Sequence, residues 1–199
     1  RYDHGETFLT ETAAGDKALN YSVNKPLGTV AIISPWNLPL LLATWKIAPA
    51  MASGNCVIVK PSEETSSTMV LLAEVMKEVG IPDGAFNLIL GRGSKVGDYI
   101  TSHQGVDAVT FTGASSTGKN IMRSVAETVK PISFELGGKN AAIVFEDANL
   151  EKAVAGVARS TFTNCGQVCL CTERVFVHRS ISEDFIKKMR IAAQSITIG

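Results

Sequence analysis

Cys169 lies in the run Asn164-Cys165-Gly166-Gln167-Val168-Cys169-Leu170-Cys171. The Gly and Gln ahead of it predict a tight loop that carries one exposed thiol. A thiolate is a strong nucleophile once it forms beside a base. The plainer alternative is a buried structural Cys, common for any single one. Metal binding is not expected. The spacing C-x3-C-x-C lacks the paired two-residue gaps and second half-site of a zinc centre, and the nearest His, His178, falls at a strand end.

Other residues supply different chemistry. Glu135-Leu136-Gly137-Gly138-Lys139 reads as a strand that ends in a carboxylate. α/β enzymes hold ligands at the carboxyl ends of parallel strands, so Glu135 suits a general base; the alternative is an edge carboxylate paired with a Lys. Pro35-Trp36-Asn37 follows an apolar strand. The Asn37 amide can point at a developing oxyanion, or simply close a turn. Lys60-Pro61-Ser62-Glu63 ends another strand, where Lys and Glu can face one polar ligand such as a ribose. The alternative there is a solvated turn with an N-cap for a helix starting near Ser66.

Two Gly-rich turns compete for phosphate. Gly91-Arg92-Gly93 with Gly97 follows a strand and opens a helix, one residue longer than the dinucleotide turn G-x-G-x-x-G. Its plain alternative is a turn that needs glycine backbone. Gly113-Ala114-Ser115-Ser116-Thr117-Gly118-Lys119-Asn120 nearly spells a P-loop, and Ala141–Phe145 followed by Glu146-Asp147 imitates the acidic strand of such proteins. A P-loop nucleotide hydrolase is therefore the rival function. Asn120 lacks the hydroxyl that would ligate Mg²⁺. The preferred reading is that Gly113 frees the backbone at a helix N-terminus whose amides face a pyrophosphate.

These residues need elements to hold them. Short β-branched runs predict strands at Thr29–Ile33, Cys56–Val59, Phe86–Leu90, Ala108–Phe111, Ile132–Glu135, Ala141–Phe145 and Arg174–Val177. Helical patterns fall at Leu40–Met51, Ser66–Val79, Lys95–Ser102, Ser115–Val129, Leu150–Thr163 and Ser182–Ser195. Within the second, Val70, Ala73, Met76 and Val79 lie close to one face, and Gly80 and Pro82 end it. Strands that are apolar on both faces and alternate with helices predict an α/β fold with a parallel sheet covered on both sides. Gly137-Gly138 is the internal boundary.

Composition narrows the function classes. The 199 residues carry 19 Lys+Arg and 19 Asp+Glu. Zero net charge gives no pull toward nucleic acid or an anionic membrane. With 45% hydrophobic residues, intrinsic disorder is excluded. Only 19% are charged, so part of the surface is expected to be buried against a partner chain or further sequence. No charge occurs from Pro26 to Trp45, yet Pro35, Asn37 and Pro39 interrupt that run, so a strand and loop are expected there rather than a membrane helix. His4, His103 and His178 read as surface residues. The chain starts at Arg1 and stops at Gly199 straight after a helical pattern, and reads as an excerpt of a longer protein. Four Cys in a poor disulfide pattern, with no signal-like start, predict reduced thiols and a cytoplasmic location.

Taken in order, Pro35-Trp36-Asn37, Lys60-Pro61-Ser62-Glu63, Phe111-Thr112-Gly113 with Gly118, Glu135-Leu136-Gly137-Gly138-Lys139 and Gly166-Gln167-Val168-Cys169 resemble the aldehyde dehydrogenase superfamily. The resemblance runs from about Gly28 to the end. It implies a doubly wound, mostly parallel Rossmann-like sheet over residues 1–136 that binds NAD, then the first part of a second α/β catalytic domain over 137–199. It implies that Cys169 attacks an aldehyde while the Asn37 amide and the Cys169 N–H hold the oxyanion. Hydride transfer to the nicotinamide then leaves a thioester, which water activated by Glu135 hydrolyses. The NAD contacts it implies are Ile33, Ser34, Pro35, Trp36, Lys60, Ser62, Glu63, Gly93, Gly97, Phe111, Thr112 and Gly113. Glu63 would repel a ribose 2′-phosphate, which favours NAD over NADP.

There are departures. Ala114 stands where many members have Ser, and Ser115 or Ser116 is the expected substitute. The Glu and Phe that hold the nicotinamide in the family, and most of its oligomerisation hairpin, are expected beyond this chain. The excerpt alone is expected to bind NAD poorly and turn over nothing; the whole protein is expected to be a homo-oligomer acting on a small aldehyde. Pro35-Trp36-Asn37-Leu38-Pro39-Leu40 and Asn164 to Arg174 look like the 2-aminomuconic and 2-hydroxymuconic semialdehyde dehydrogenases. In that subfamily the Arg partners of the substrate carboxylate fall outside the excerpt. A non-catalytic relative of the same fold is the remaining rival.

Overall fold

The computed structural model describes residues 7–198. His4 lies outside the described residues. The first described elements are β1 (Thr7–Glu11) and β2 (Lys17–Tyr21), an antiparallel hairpin. No strand was expected before Thr29, and the resemblance put the family's hairpin mostly elsewhere. The reason is physical: Phe8, Leu9, Leu19 and Tyr21 are all exposed, so the ribbon buries no face and leaves little period-two signal.

The centre is a five-stranded parallel sheet. Its strands are β3 (Thr29–Ile33), β4 (Cys56–Lys60), β5 (Phe86–Leu88), β6 (Ala108–Gly113) and β7 (Ile132–Leu136), in the order β5-β4-β3-β6-β7. Alternate residues feed two cores. Val30, Ile32, Val57 and Val59 meet α1 (Pro39–Ala52) through Ala43 and Ile47, and α2 (Ser67–Glu78) through Met69. On the other face Ala31, Ile33, Val109 and Phe111 meet α3 (Asp98–Ser102) through Ile100, and α4 (Ser115–Ala126) through Ile121 and Val125. The sheet is thus doubly wound, as expected of strands apolar on both sides. Two details shift. The inward face of α2 is Met69, Leu72 and Met76, while Val79 is exposed. The helix expected from Lys95 is a π-helical turn over Gly93–Gly97 that runs into the short α3.

After Gly137-Gly138 the chain leaves that sheet. β8 (Asn140–Val144) and β9 (Thr172–Val177) form a separate parallel pair. One face packs through Val144 and Val177 on α5 (Leu150–Phe162) and α6 (Ser182–Gln194), whose Val154, Val157 and Phe185 are buried. Among the described residues no helix is long and apolar enough to cross a membrane; the uncharged run divides into β3, a loop and the start of α1.

Candidate active site

Strand order creates the site. From β3 the chain winds through β4 to β5 on one side, then returns to β6 and β7 on the other. The crevice beyond the carboxyl ends of β3 and β6 is therefore a topological switch point, where open α/β sheets bind ligands. Register sharpens it. Ile33 lies opposite Lys60 on one side and Phe111 on the other, Phe111 opposite Phe134, and Thr112 opposite Glu135. The row Lys60, Ile33, Phe111 and Phe134 across four strands, with Thr112 and Glu135 one step beyond it, delivers five of the predicted residues to the same edge.

On the β4 side, Lys60 is buried and its Nζ donates to Pro61 O at 2.8 Å and lies 3.6 Å from Glu63. An ammonium has three donors, so one stays free for a ligand hydroxyl. Ser62 caps the 3₁₀ turn Glu63–Thr65 rather than the following helix, accepting from Glu64 N at 3.4 Å. The Glu63 carboxyl is held below its ordinary range, first by its own backbone N–H, with Lys60 and the Gly93 N–H adding to the pull. Glu63 and Gly93 thus meet, while Gly97 is buried at the far end of the π-helical turn.

The centre of the crevice carries two unsatisfied hydroxyls. Ser34 Oγ and Thr112 Oγ1 are buried without a hydrogen-bond partner. Buried hydroxyls normally find partners, so an orphaned pair at adjacent strand ends fits a polar ligand such as a dinucleotide. Gly113 fits too: a Cβ there would approach the Phe111 ring to 2.6 Å. Ala114 caps α4 without a side-chain bond, and the first turn of that helix has no acidic residue, a favourable end for an anion. The P-loop reading does not survive. The segment after Gly113 is not a loop, because α4 starts at Ser115 and the Gly118 N–H is bonded to Ala114 O at 3.0 Å. With the Gly118 N–H committed inside α4, only the first-turn amides remain for an anion, which makes a helix N-terminus and not a P-loop cradle.

Cys169 enters from the other sheet. A cavity of about 350 Å³ is lined by Pro35, Trp36, Asn37, Thr112, Gly113, Glu135 and Cys169. A second of about 540 Å³ shares Thr112, Glu135 and Cys169 and opens toward Trp45 and Lys46 of α1. The thiol is half-buried, and both cavities join it to Glu135. The Cys169 N–H has no acceptor among the described residues. Its loop is tied down on two sides. Asn140 Nδ2 donates to Cys169 O at 2.6 Å and Cys171 O at 3.1 Å, and Asn37 Nδ2 donates to Gln167 O at 2.7 Å. The loop backbone is unusual: Asn164, Cys165 and Gly166 have φ of 52°, 57° and 74°. A non-Gly residue in this region costs about 1 kcal/mol or more, least for Asn, so the ties hold a conformation the chain would not choose. His103 and His178 stay outside the site. Among the described residues no group of His, Cys, Asp and Glu could hold a metal ion.

Sequence reasoning missed Asn140 and Lys46. Asn140 follows Lys139 and nothing in its pattern singles it out. Lys46 had a signal: it is the only charge in the helix Pro39–Ala52. Burial pulls its ammonium below the usual 10.5, opposed by attraction to Glu135. A lysine held low in the folded state carries a desolvation cost below its folded pKa, and the cost is relieved as pH rises through that value. Lys46→Met removes the cost and the charge together. In the full-length protein we expect thermal stability near neutral pH to hold or rise. Calorimetry checks this; a lower melting temperature would contradict it.

Comparison with known proteins agrees with this geometry. The sequence profile of the aldehyde dehydrogenase family matches residues 1–199. A 2-hydroxymuconic semialdehyde dehydrogenase of Pseudomonas putida is 53% identical over 98% of this chain and 40% of its own length. A 2-aminomuconic 6-semialdehyde dehydrogenase of Pseudomonas sp. is 60% identical over 86% of this chain and 35% of its own. Among solved structures, betaine aldehyde dehydrogenase of Staphylococcus aureus in complex with NAD+ superposes with a TM-score of 0.92 at 43% identity, over 99% of this chain and 38% of that one. The chain spans about 40% of the length of the first of these relatives. It belongs to the aldehyde dehydrogenase family.

Proposed function

We propose that the whole protein oxidises an aldehyde to a carboxylic acid with NAD, and that its substrate is a muconic semialdehyde. The observation that carries this is the single cavity shared by Cys169, Glu135, Asn37 and Thr112 at the switch point. Residues 1–136 act as the cofactor unit and 137–199 as the start of the catalytic unit. Lys60 and Glu63 hold a ribose; Ser34, Thr112 and the start of α4 face the rest of the dinucleotide. Ile33, Pro35, Trp36, Phe111 and Gly113 shape the crevice around it, with Ser62, Gly93 and Gly97 at its rim.

In the reaction the Cys169 thiolate forms a C–S bond to the aldehyde carbon. The carbonyl electron pair moves to oxygen, which receives hydrogen bonds from the Asn37 amide and the Cys169 N–H. A bound NAD, its ribose held by Lys60 and Glu63, would supply the acceptor for the hydride that the carbon loses. The acyl group then remains on Cys169 as a thioester. Glu135 takes a proton from water, the new hydroxide oxygen bonds to the acyl carbon, the C–S bond breaks and the thiolate is regenerated.

The semialdehyde assignment rests on likeness to the Pseudomonas enzymes. NADH production by the full-length protein against a panel of aldehydes tests it. We expect 2-hydroxymuconic or 2-aminomuconic semialdehyde to give the highest kcat/KM, with NAD preferred to NADP. A cationic substrate such as betaine aldehyde preferred by tenfold would overturn the substrate, and no NADH from any aldehyde would overturn the reaction.

A further inference from the structure

Asn164 and Asn37 are far apart in the chain, yet they are linked by a closed ring of hydrogen bonds. Asn37 Nδ2 donates to Gln167 O at 2.7 Å, across 130 positions. Gln167 N donates to Asn164 O at 3.0 Å. Asn164 Nδ2 donates to Asn37 O at 3.0 Å, across 127 positions. Each of the three residues gives one bond and accepts one.

Resting on the reading above, we propose that Asn164 is a positioning residue for the oxyanion hole: it fixes the Asn37 amide against the backbone of the Cys169 loop. The Asn37 NH₂ has two hydrogens. Gln167 O takes one, which stops the amide from rotating and leaves the other aimed by the ring. The second oxyanion donor, the Cys169 N–H, lies two residues beyond Gln167 on the same loop. A hole needs both donors at fixed separation, because preorganised dipoles stabilise charge without reorganising as it develops. Asn164 supplies the return bond from that loop to the Asn37 backbone. Without it the two donors are joined by one hydrogen bond.

The residue type fits the task. Asn164 sits at φ 52°, ψ 41°, a conformation Asn tolerates better than most residues. Its short amide also reaches a carbonyl across the crevice. Both features are needed at one position, and Asn combines them.

The test separates positioning from folding. In the full-length enzyme, Asn164→Gly keeps the left-handed backbone and removes the donor. Asn164→Asp keeps the shape and sets an oxygen against the Asn37 carbonyl. For each, the NADH burst with aldehyde is compared with alkylation of Cys169 by iodoacetamide, a displacement that develops no oxyanion. We expect both variants to slow the burst by roughly 10- to 100-fold and to leave alkylation within about twofold. Placed on Asn37→Ala, Asn164→Gly should cost less than about a further twofold, because a residue acting through Asn37 has nothing left to act on.

A normal burst in both variants overturns the proposal. So does an equal loss in the presence and absence of Asn37, or a parallel loss of alkylation, since either marks general damage to the loop. A normal burst in Asn37→Ala alone overturns the oxyanion role given to Asn37 under the proposed function, and Asn164 then has no donor to position. A large Asn37→Ala effect with a silent Asn164→Gly sinks the Asn164 proposal alone.

Discussion

Full-length Cys169→Ser is expected to form no NADH above background with any aldehyde, a loss of at least about a thousandfold. A serine hydroxyl stays protonated near neutral pH where a thiol ionises in part, and no other group in the shared cavity is a comparable nucleophile. Cys165 and Cys171 do not substitute. Cys171 is buried and its thiol points to Thr163 O at 3.6 Å, and neither residue lines the cavity shared with Glu135 and Asn37. Binding of NAD is expected to stay within about twofold, because Lys60, Glu63 and the start of α4 are untouched. The contrast is the informative part: titration of NAD by fluorescence and NADH formation by absorbance should part company. Retention of more than a tenth of the wild-type rate would remove Cys169 from the mechanism.

Glu135→Gln is expected to divide the reaction in time. In the proposed mechanism acylation does not use the carboxylate as a base, so about one NADH per site should appear in a burst. Release of acid should then fall by roughly a hundredfold to ten-thousandfold, the usual worth of a positioned general base. Gln preserves volume and sits at the same edge of β7, opposite Thr112, so the cavity keeps its shape. Acid quench and mass measurement should find the acyl group on Cys169. Acid released at the wild-type rate would show that another group activates water, and Lys46 would be the next residue to vary, since its charge interacts with Glu135.

Much of this was legible because it was local. The parallel strands announced themselves through β-branched runs, and Gly-rich punctuation marked their ends. Glu135 and Lys60 could be placed at carboxyl ends of strands because strand identity alone decides that, whereas Thr112 came only from the family resemblance. What was hidden depended on tertiary context. The hairpin over Thr7–Tyr21 buries no face, so its pattern carries no period. The π-helical turn at Gly93–Gly97 arises where a short helix meets a glycine pair, and no propensity marks it. Asn140 and Asn164 act through backbone carbonyls of residues distant or displaced in sequence, and a carbonyl has no letter in the code. Lys46 was visible as a solitary charge, but only the fold reveals which carboxylate it faces.

The left-handed run at Asn164, Cys165 and Gly166 has a bearing on how the protein is made. One side of the loop is held by a residue translated 130 positions earlier, so the ribosome delivers the Asn37 amide well before the loop that it ties down. Closing so long a span is entropically only slightly dearer than closing a shorter one, yet long-range parallel pairing is slow. During synthesis the loop therefore lacks its Asn37 tie until β3 and the turn after it have taken their places in the central sheet.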